Sequence, residues 1–181
     1  MKKLHTVQAL LLSCLFILPC SPALAGGLSA VFNGKSIHVD ANEDWNEENY
    51  GLGFEYQLKT RSAWKKQLMV NGFRDSNDEM SYMFGGGLHR SLFTTERING
   101  FYVDAGINAF LMTRRDVNDN RPFPGLLPSL TFGNRYMGLN LTYVPKAAME
   151  FMLDEAMTDD SINGVFFVQF KVAMSQLLPR D

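Results

Sequence analysis

The chain has 181 residues, 46% hydrophobic, 20% charged and 12% aromatic, with a net charge of −2; these values suit one compact domain and argue against a chain that is a disordered tail or a two-domain enzyme. The charge is not that of a nucleic-acid-binding protein. Fourteen Phe and 15 Gly with a mean hydropathy near zero require large apolar side chains finely interleaved with polar ones, which excludes a bundle of membrane helices, each needing about 20 consecutive apolar residues.

The longest apolar run, Ala9–Cys20, is too short to span. It follows Lys2 and Lys3 and precedes Ala23-Leu24-Ala25, the basic start, apolar middle and small-x-small end of a secretory signal peptide. The expected organisation is a signal peptide over 1–25 and one β domain over 26–181. Loss of the two lysines takes the net charge to −4. Both cysteines, Cys14 and Cys20, leave with the leader, so the mature chain has neither a disulfide nor a thiol nucleophile. A lipoprotein reading of Cys20 is disfavoured by Pro19, because such sites want a small residue before the modified cysteine.

Beyond Gly26 the apolar residues recur at every second position, the period of a strand. A first, less regular strand falls near 28–38. The next is the clearest, with Tyr50, Leu52, Phe54, Tyr56 and Leu58 on one face and Gly51, Gly53, Glu55 and Gln57 on the other. Irregular strands follow near 64–74 and 80–89. The fifth alternates Phe101, Val103, Ala105, Ile107, Ala109 and Leu111 with Tyr102, Asp104, Gly106, Asn108, Phe110 and Met112. A sixth lies near 124–132, the seventh alternates Met137, Leu139, Leu141 and Tyr143 with Gly138, Asn140 and Thr142, and the last sets Phe166, Val168, Phe170 and Val172 against Phe167, Gln169 and Lys171.

Eight strands of about ten residues point to an eight-stranded antiparallel transmembrane β-barrel of the bacterial outer membrane, with apolar residues toward lipid and polar or small ones inside. The competing architecture is a soluble lipocalin-like barrel with its apolar residues inward. Alternation alone does not say which face is inside. The membrane reading makes Glu55, Asp104 and Lys171 an internal network. With a periplasmic N-terminus, the connections 39–48, 75–79, 114–123 and about 145–163 are external, and 59–63, 90–99 and 133–135 are periplasmic. The longer connections are mostly external, as in outer-membrane barrels. The exceptions are a short 75–79 and a long 90–99.

This parity puts His38, at the end of the first strand, on the same outer rim as Asp75 and Ser76, which end the third. His89, the other histidine beyond the leader, ends a downgoing strand and is expected at the periplasmic side. Histidine is the usual general base near neutral pH, and a hydroxyl beside a carboxylate supplies a nucleophile or a positioning group. Asp75 and Ser76 are neighbours and can serve one site only if the backbone turns there; the run Asp75-Ser76-Asn77-Asp78-Glu79 is turn-like. Pro124, Pro128 and Pro145 cannot donate ladder hydrogen bonds, so they either end strands or weaken the seam between the sixth and seventh into a lateral opening. Gly85-Gly86-Gly87 either clears interior space or marks a bulge.

Phe73-Arg74-Asp75-Ser76-Asn77, Thr113-Arg114-Arg115-Asp116, Arg121-Pro122-Phe123-Pro124-Gly125-Leu126-Leu127-Pro128 and Leu141-Thr142-Tyr143-Val144-Pro145, in that order, resemble the motifs of the outer-membrane lipid A palmitoyltransferase family, PagP. Trp45-Asn46-Glu47 with Gly51-Leu52-Gly53-Phe54 is similar to the family's stretch leading into its second strand. The resemblance runs from about His38 to Lys171. It implies an acyltransferase that moves a chain, typically palmitate, from the sn-1 position of a phospholipid donor to a lipid A acceptor. No cofactor or metal is implied, and the expected partners are lipids, with the protein a monomer. His38, Asp75 and Ser76 match the family's catalytic residues. Arg115 matches an arginine near the site, suited to a lipid phosphate; Gly87 matches the glycine that sets acyl length at the pocket floor; and Pro128 and Pro145 flank the lateral lipid passage.

The chain departs from the family pattern in three places. Only Gly26–Ser29 stand between the leader and the first strand, where better-known members carry an amphipathic helix. The first external loop is short, so matching His38 needs a gap, and Asn33 is the gapless partner, unable to act as a base. Ser175–Asp181 extend past the usual terminal aromatic as an expected loose tail. Two mechanisms stay open: a Ser76 nucleophile activated by His38, or direct attack by the acceptor hydroxyl with His38 as base. The second is preferred, because no segment marks an oxyanion hole. The alternative functions are a non-enzymatic structural or adhesive barrel and, ranked last, a lipid A deacylase.

Overall fold

A computed structural model of the chain describes residues 27–42, 45–115, 117, 120–152 and 162–174. The expected leader, with both cysteines, and the expected tail from Ser175 lie outside the described residues. Eight antiparallel strands close into a barrel in sequence order: β1 Gly27–Val39, β2 Glu48–Leu58, β3 Trp64–Arg74, β4 Met80–Thr95, β5 Phe101–Thr113, β6 Phe123–Gly133, β7 Met137–Pro145 and β8 Gly164–Ala173. A short helix, α1 (Lys146–Met152), leaves the outer end of β7. Closure pairs β1 with β8 and removes the open edge that lipid could not satisfy.

The two faces decide between the candidate barrels. Phe32, Leu52, Phe54, Leu68, Val70, Phe84, Ile107 and Leu126 are exposed, while Asn33, Glu55, Asn71, His89, Asp104, Thr131, Asn140 and Gln169 are buried. A soluble barrel cannot survive with this distribution. The protein is a barrel of the membrane type.

Inside, the lower half is filled by paired polar groups. Glu55 accepts from Asn140 Nδ2 at 2.6 Å and from Lys171 Nζ at 3.1 Å. Asp104 does not join that cluster; it holds Lys65 Nζ at 2.6 Å and Ser91 Oγ at 2.7 Å. Asn33 bridges Asn71 and Gln169.

The expected elements are present, with one strand misjudged in length. β4 runs to Thr95, not 89, because a bulge between Ser91 and Phe93 breaks the alternation and makes the strand look finished. The connection from β4 to β5 shrinks to a turn over Arg97–Gly100 with Ile98 and Asn99 both left-handed, the geometry of a hairpin turn. His89 therefore lies within the strand, not at its end. It is buried in the interior, 2.9 Å from Asn108 Oδ1 and 3.3 Å from Ser129 Oγ.

Candidate active site

A bulge in β1 aims the histidine. Up to Asn33 the odd-numbered residues Val31 and Asn33 face inward, and with regular pairing Ser36 and His38 would face lipid. The register with both neighbouring strands shifts between Asn33 and Lys35. The irregularity at Gly34 reverses the parity, so that Ser36 is buried and the His38 side chain is only 5% exposed.

The hydroxyl partner arrives from the other side of β2. After β3 the chain turns over Asp75–Glu79, with Asp75 N–H donating to the Glu79 carbonyl at 2.8 Å and Asp78 left-handed. The Asp75 carboxylate builds this turn. Oδ1 accepts from the Asn77 and Glu79 amides at 2.9 and 3.1 Å, and Oδ2 accepts from Ser81 Oγ at 2.8 Å. The turn swings Ser76 toward β1, leaving Ser76 Oγ 3.1 Å from His38 Nε2. Asn33 lies deep in the barrel, so the geometry favours His38 over Asn33 as the rim residue.

The segment Trp45–Glu47 stitches the two ends together. Asn46 N–H donates to the Ser76 carbonyl and Asn46 Nδ2 to the Asp75 carbonyl, both at 3.1 Å, while the Glu47 carbonyl accepts from Ser36 N–H at 2.9 Å. The Trp45 ring stacks on His38 with centroids 5.9 Å apart. Glu47 reaches the histidine from behind, with Oε1 3.9 Å from Nδ1. Its other oxygen pairs with Lys35 Nζ at 3.2 Å, and that ammonium holds the Glu47 carboxyl below its usual range.

Below this pair lies a cavity of about 170 Å³. Its walls are apolar, from Met69, Phe73, Phe110, Phe123, Leu127 and Phe167; Asp75, Ser76 and Arg114 stand at its mouth, and Glu55, Asn108 and Gln169 form its floor. The cavity is blind, because the Glu55 layer separates it from a polar recess at the other end.

The remaining sequence candidates fall at different places. Arg115 is on the surface, with its guanidinium 2.8 Å from Glu79, whereas Arg114 lines the cavity with Nε 3.7 Å from Asp75. Gly87 sits at the floor layer, where a Cβ would run into the Asn108 and His89 side chains. The pairing of β6 with β7 covers only Ser129–Gly133 against Gly138–Thr142. Above it, Phe123–Pro128 and Tyr143–Pro145 lack that partner, and this stretch holds Pro124, Pro128 and Pro145. The sequence reading missed the placement of Glu47 and Arg114. Glu47 was visible only as part of a motif, and nothing local distinguishes Arg114 from its neighbour.

A barrel with a lipid-compatible outer face, whose mouth carries a histidine–serine pair over a blind apolar cavity, defines a class of membrane protein suited to handling acyl chains. The family described as "Antimicrobial peptide resistance and lipid A acylation protein PagP" matches residues 29–152. The chain belongs to this PagP family. It is 28% identical over 106 residues to the lipid A acyltransferase PagP of Methylobacillus flagellatus, a match covering 59% of the chain and 56% of that protein. It is 27% identical over 130 residues to the lipid A acyltransferase PagP of Bordetella pertussis, covering 66% and 68%. The Bordetella bronchiseptica protein of the same name matches to the same extent.

Proposed function

We propose that the protein is an outer-membrane lipid A acyltransferase that works as a monomer, taking an acyl chain, palmitate, from the sn-1 position of a phospholipid and joining it to lipid A. Residues 1–25 are the signal peptide removed on export. The observation that carries this reading is the His38 Nε2 to Ser76 Oγ contact of 3.1 Å at the mouth of the apolar cavity.

The chemistry follows from that contact. His38 takes the Ser76 proton as Oγ forms a bond to the donor's ester carbonyl. Collapse of the tetrahedral intermediate breaks the ester, and the departing lysophospholipid oxygen receives the proton from His38. A lipid A hydroxyl then repeats the sequence on the acyl-serine and restores the enzyme. A base–hydroxyl contact supports this route over direct attack by the acceptor, which needs no such contact. The donor chain lies in the cavity. Six positions of β5 separate Arg114 at the mouth from Asn108 at the floor, about 20 Å of strand and about 15 Å of depth at a barrel tilt of roughly 40°. With C–C bonds of about 1.5 Å, that depth takes roughly a dozen extended carbons. The gap above the β6–β7 pairing supports a lateral passage for the lipids.

Mass spectrometry of lipid A from cells with and without the protein tests the reading. One added acyl chain is expected only where the protein is present. Identical lipid A in both would overturn it.

A further inference from the structure

The histidine has two ring nitrogens, and only one faces the serine. His38 Nδ1 is buried without a hydrogen-bond partner among the described residues. Asp75 does not fill the gap, because its carboxylate is taken up by the Asn77 and Glu79 amides and the Ser81 hydroxyl, with Arg114 beside it. The carboxylate behind the ring is that of Glu47. We propose that Glu47 is a positioning residue that holds the His38 ring with Nδ1–H toward its carboxylate and the Nε2 lone pair toward Ser76, so that the working row is Glu47, His38, Ser76.

This rests on the reading of His38 and Ser76 as the reacting pair. Several observations bring Glu47 into line. Its Oε1 lies 3.9 Å from Nδ1 and 3.4 Å from the His38 amide, so a side-chain rotation that moves Oε1 about 1 Å makes a full hydrogen bond. Contacts of this kind are often long before substrate binds. Lys35 anchors the far oxygen, and the Glu47 carbonyl is tied to the Ser36 amide, which fixes the carboxylate from both ends. Trp45 covers one face of the ring. Among the described residues, the charged groups acting on His38 are Glu47 from this connection and Arg114 from the end of β5, and of these two only Glu47 can accept a proton from Nδ1. An anion at that nitrogen selects the tautomer that leaves Nε2 free as a base and stabilises the imidazolium formed when Ser76 gives up its proton.

The test compares full-length wild type with Glu47→Gln and Glu47→Asp in detergent micelles, each confirmed as a folded barrel by circular dichroism. Nitrogen-15 spectra of labelled histidine read the His38 tautomer, and acyl transfer from a dipalmitoyl phospholipid to lipid A gives kcat and KM. The wild type is expected to hold the Nδ1–H tautomer and Glu47→Gln to lose that preference, with kcat down about 100-fold and KM within twofold. Glu47→Asp, which keeps the charge one methylene further away, is expected to recover part of kcat. An unchanged tautomer in Glu47→Gln, or a kcat within twofold of wild type, would overturn the proposal. The tautomer is read without substrate, so it decides the role of Glu47 even if the protein transfers no acyl chain.

Discussion

At the scale of single residues, the rim divides its work between two carboxylates. Asp75 is almost fully buried and spends its oxygens on two amides and a hydroxyl, which places Ser76 without touching the histidine. Asp75→Ala should therefore behave as a turn-breaking change. Hydrogen bonds to a charged acceptor contribute about 1.5–3 kcal/mol each, so losing the three that Asp75 accepts should show in chemical unfolding in detergent as a loss of at least about 4 kcal/mol. Transfer activity should fall with it, because Ser76 loses its position. Retained stability with lost activity would instead assign Asp75 a direct chemical part. The sequence exposed the rim residues His38, Asp75 and Ser76 but not how they are wired. Which carboxylate serves the histidine depends on a connection folding across the barrel mouth, and no period or spacing encodes that crossing. Arg114 and Arg115 pose the same problem on a smaller scale, since neighbours at a strand end diverge by orientation alone.

At the scale of elements, two backbone irregularities matter more than the regular strands around them. The register shift at Gly34 turns His38 inward. Deleting Ile37, beyond that irregularity, should shift the alternation so that the histidine faces lipid and transfer is abolished, while the chain still migrates as a folded barrel in a heat-modifiability gel. The second irregularity is Ile98, a β-branched residue held at φ 58° in the turn after β4 and 74% exposed. A left-handed backbone costs such a residue about 1–2 kcal/mol, and Asn tolerates it. Ile98→Asn should raise stability by about 1 kcal/mol in urea unfolding. Strand existence and order were legible because a period of two survives in most segments. The extent of β4 and the position of His89 were not, because a bulge looks like the end of a pattern when only sequence is read.

At the scale of the whole molecule, the barrel is divided into an apolar upper cavity and a polar plug, and the plug makes the cavity blind. Glu55 and Lys171 stand at the boundary with side chains 8% and 15% exposed. Removing one member of a buried pair strands the other, at a cost of about 3–5 kcal/mol, whereas replacing both with apolar residues of similar size is near neutral. Glu55→Leu should therefore destabilise strongly and the double change Glu55→Leu with Lys171→Met much less, as read by unfolding in detergent. The interleaving of apolar and polar residues announced the wall of this molecule; the pairing of the interior groups, which is three-dimensional, sets the depth left for an acyl chain.

The central claim is that the His38–Ser76 pair transfers an acyl chain. Purified wild type, His38→Ala and Ser76→Ala, each folded in detergent and mixed with dipalmitoyl phospholipid and lipid A, test it directly by mass spectrometry of the lipid A. The wild type should add one palmitoyl chain, and each variant should be slower by a factor of about 10² to 10⁴. Equal rates in all three proteins would contradict the account.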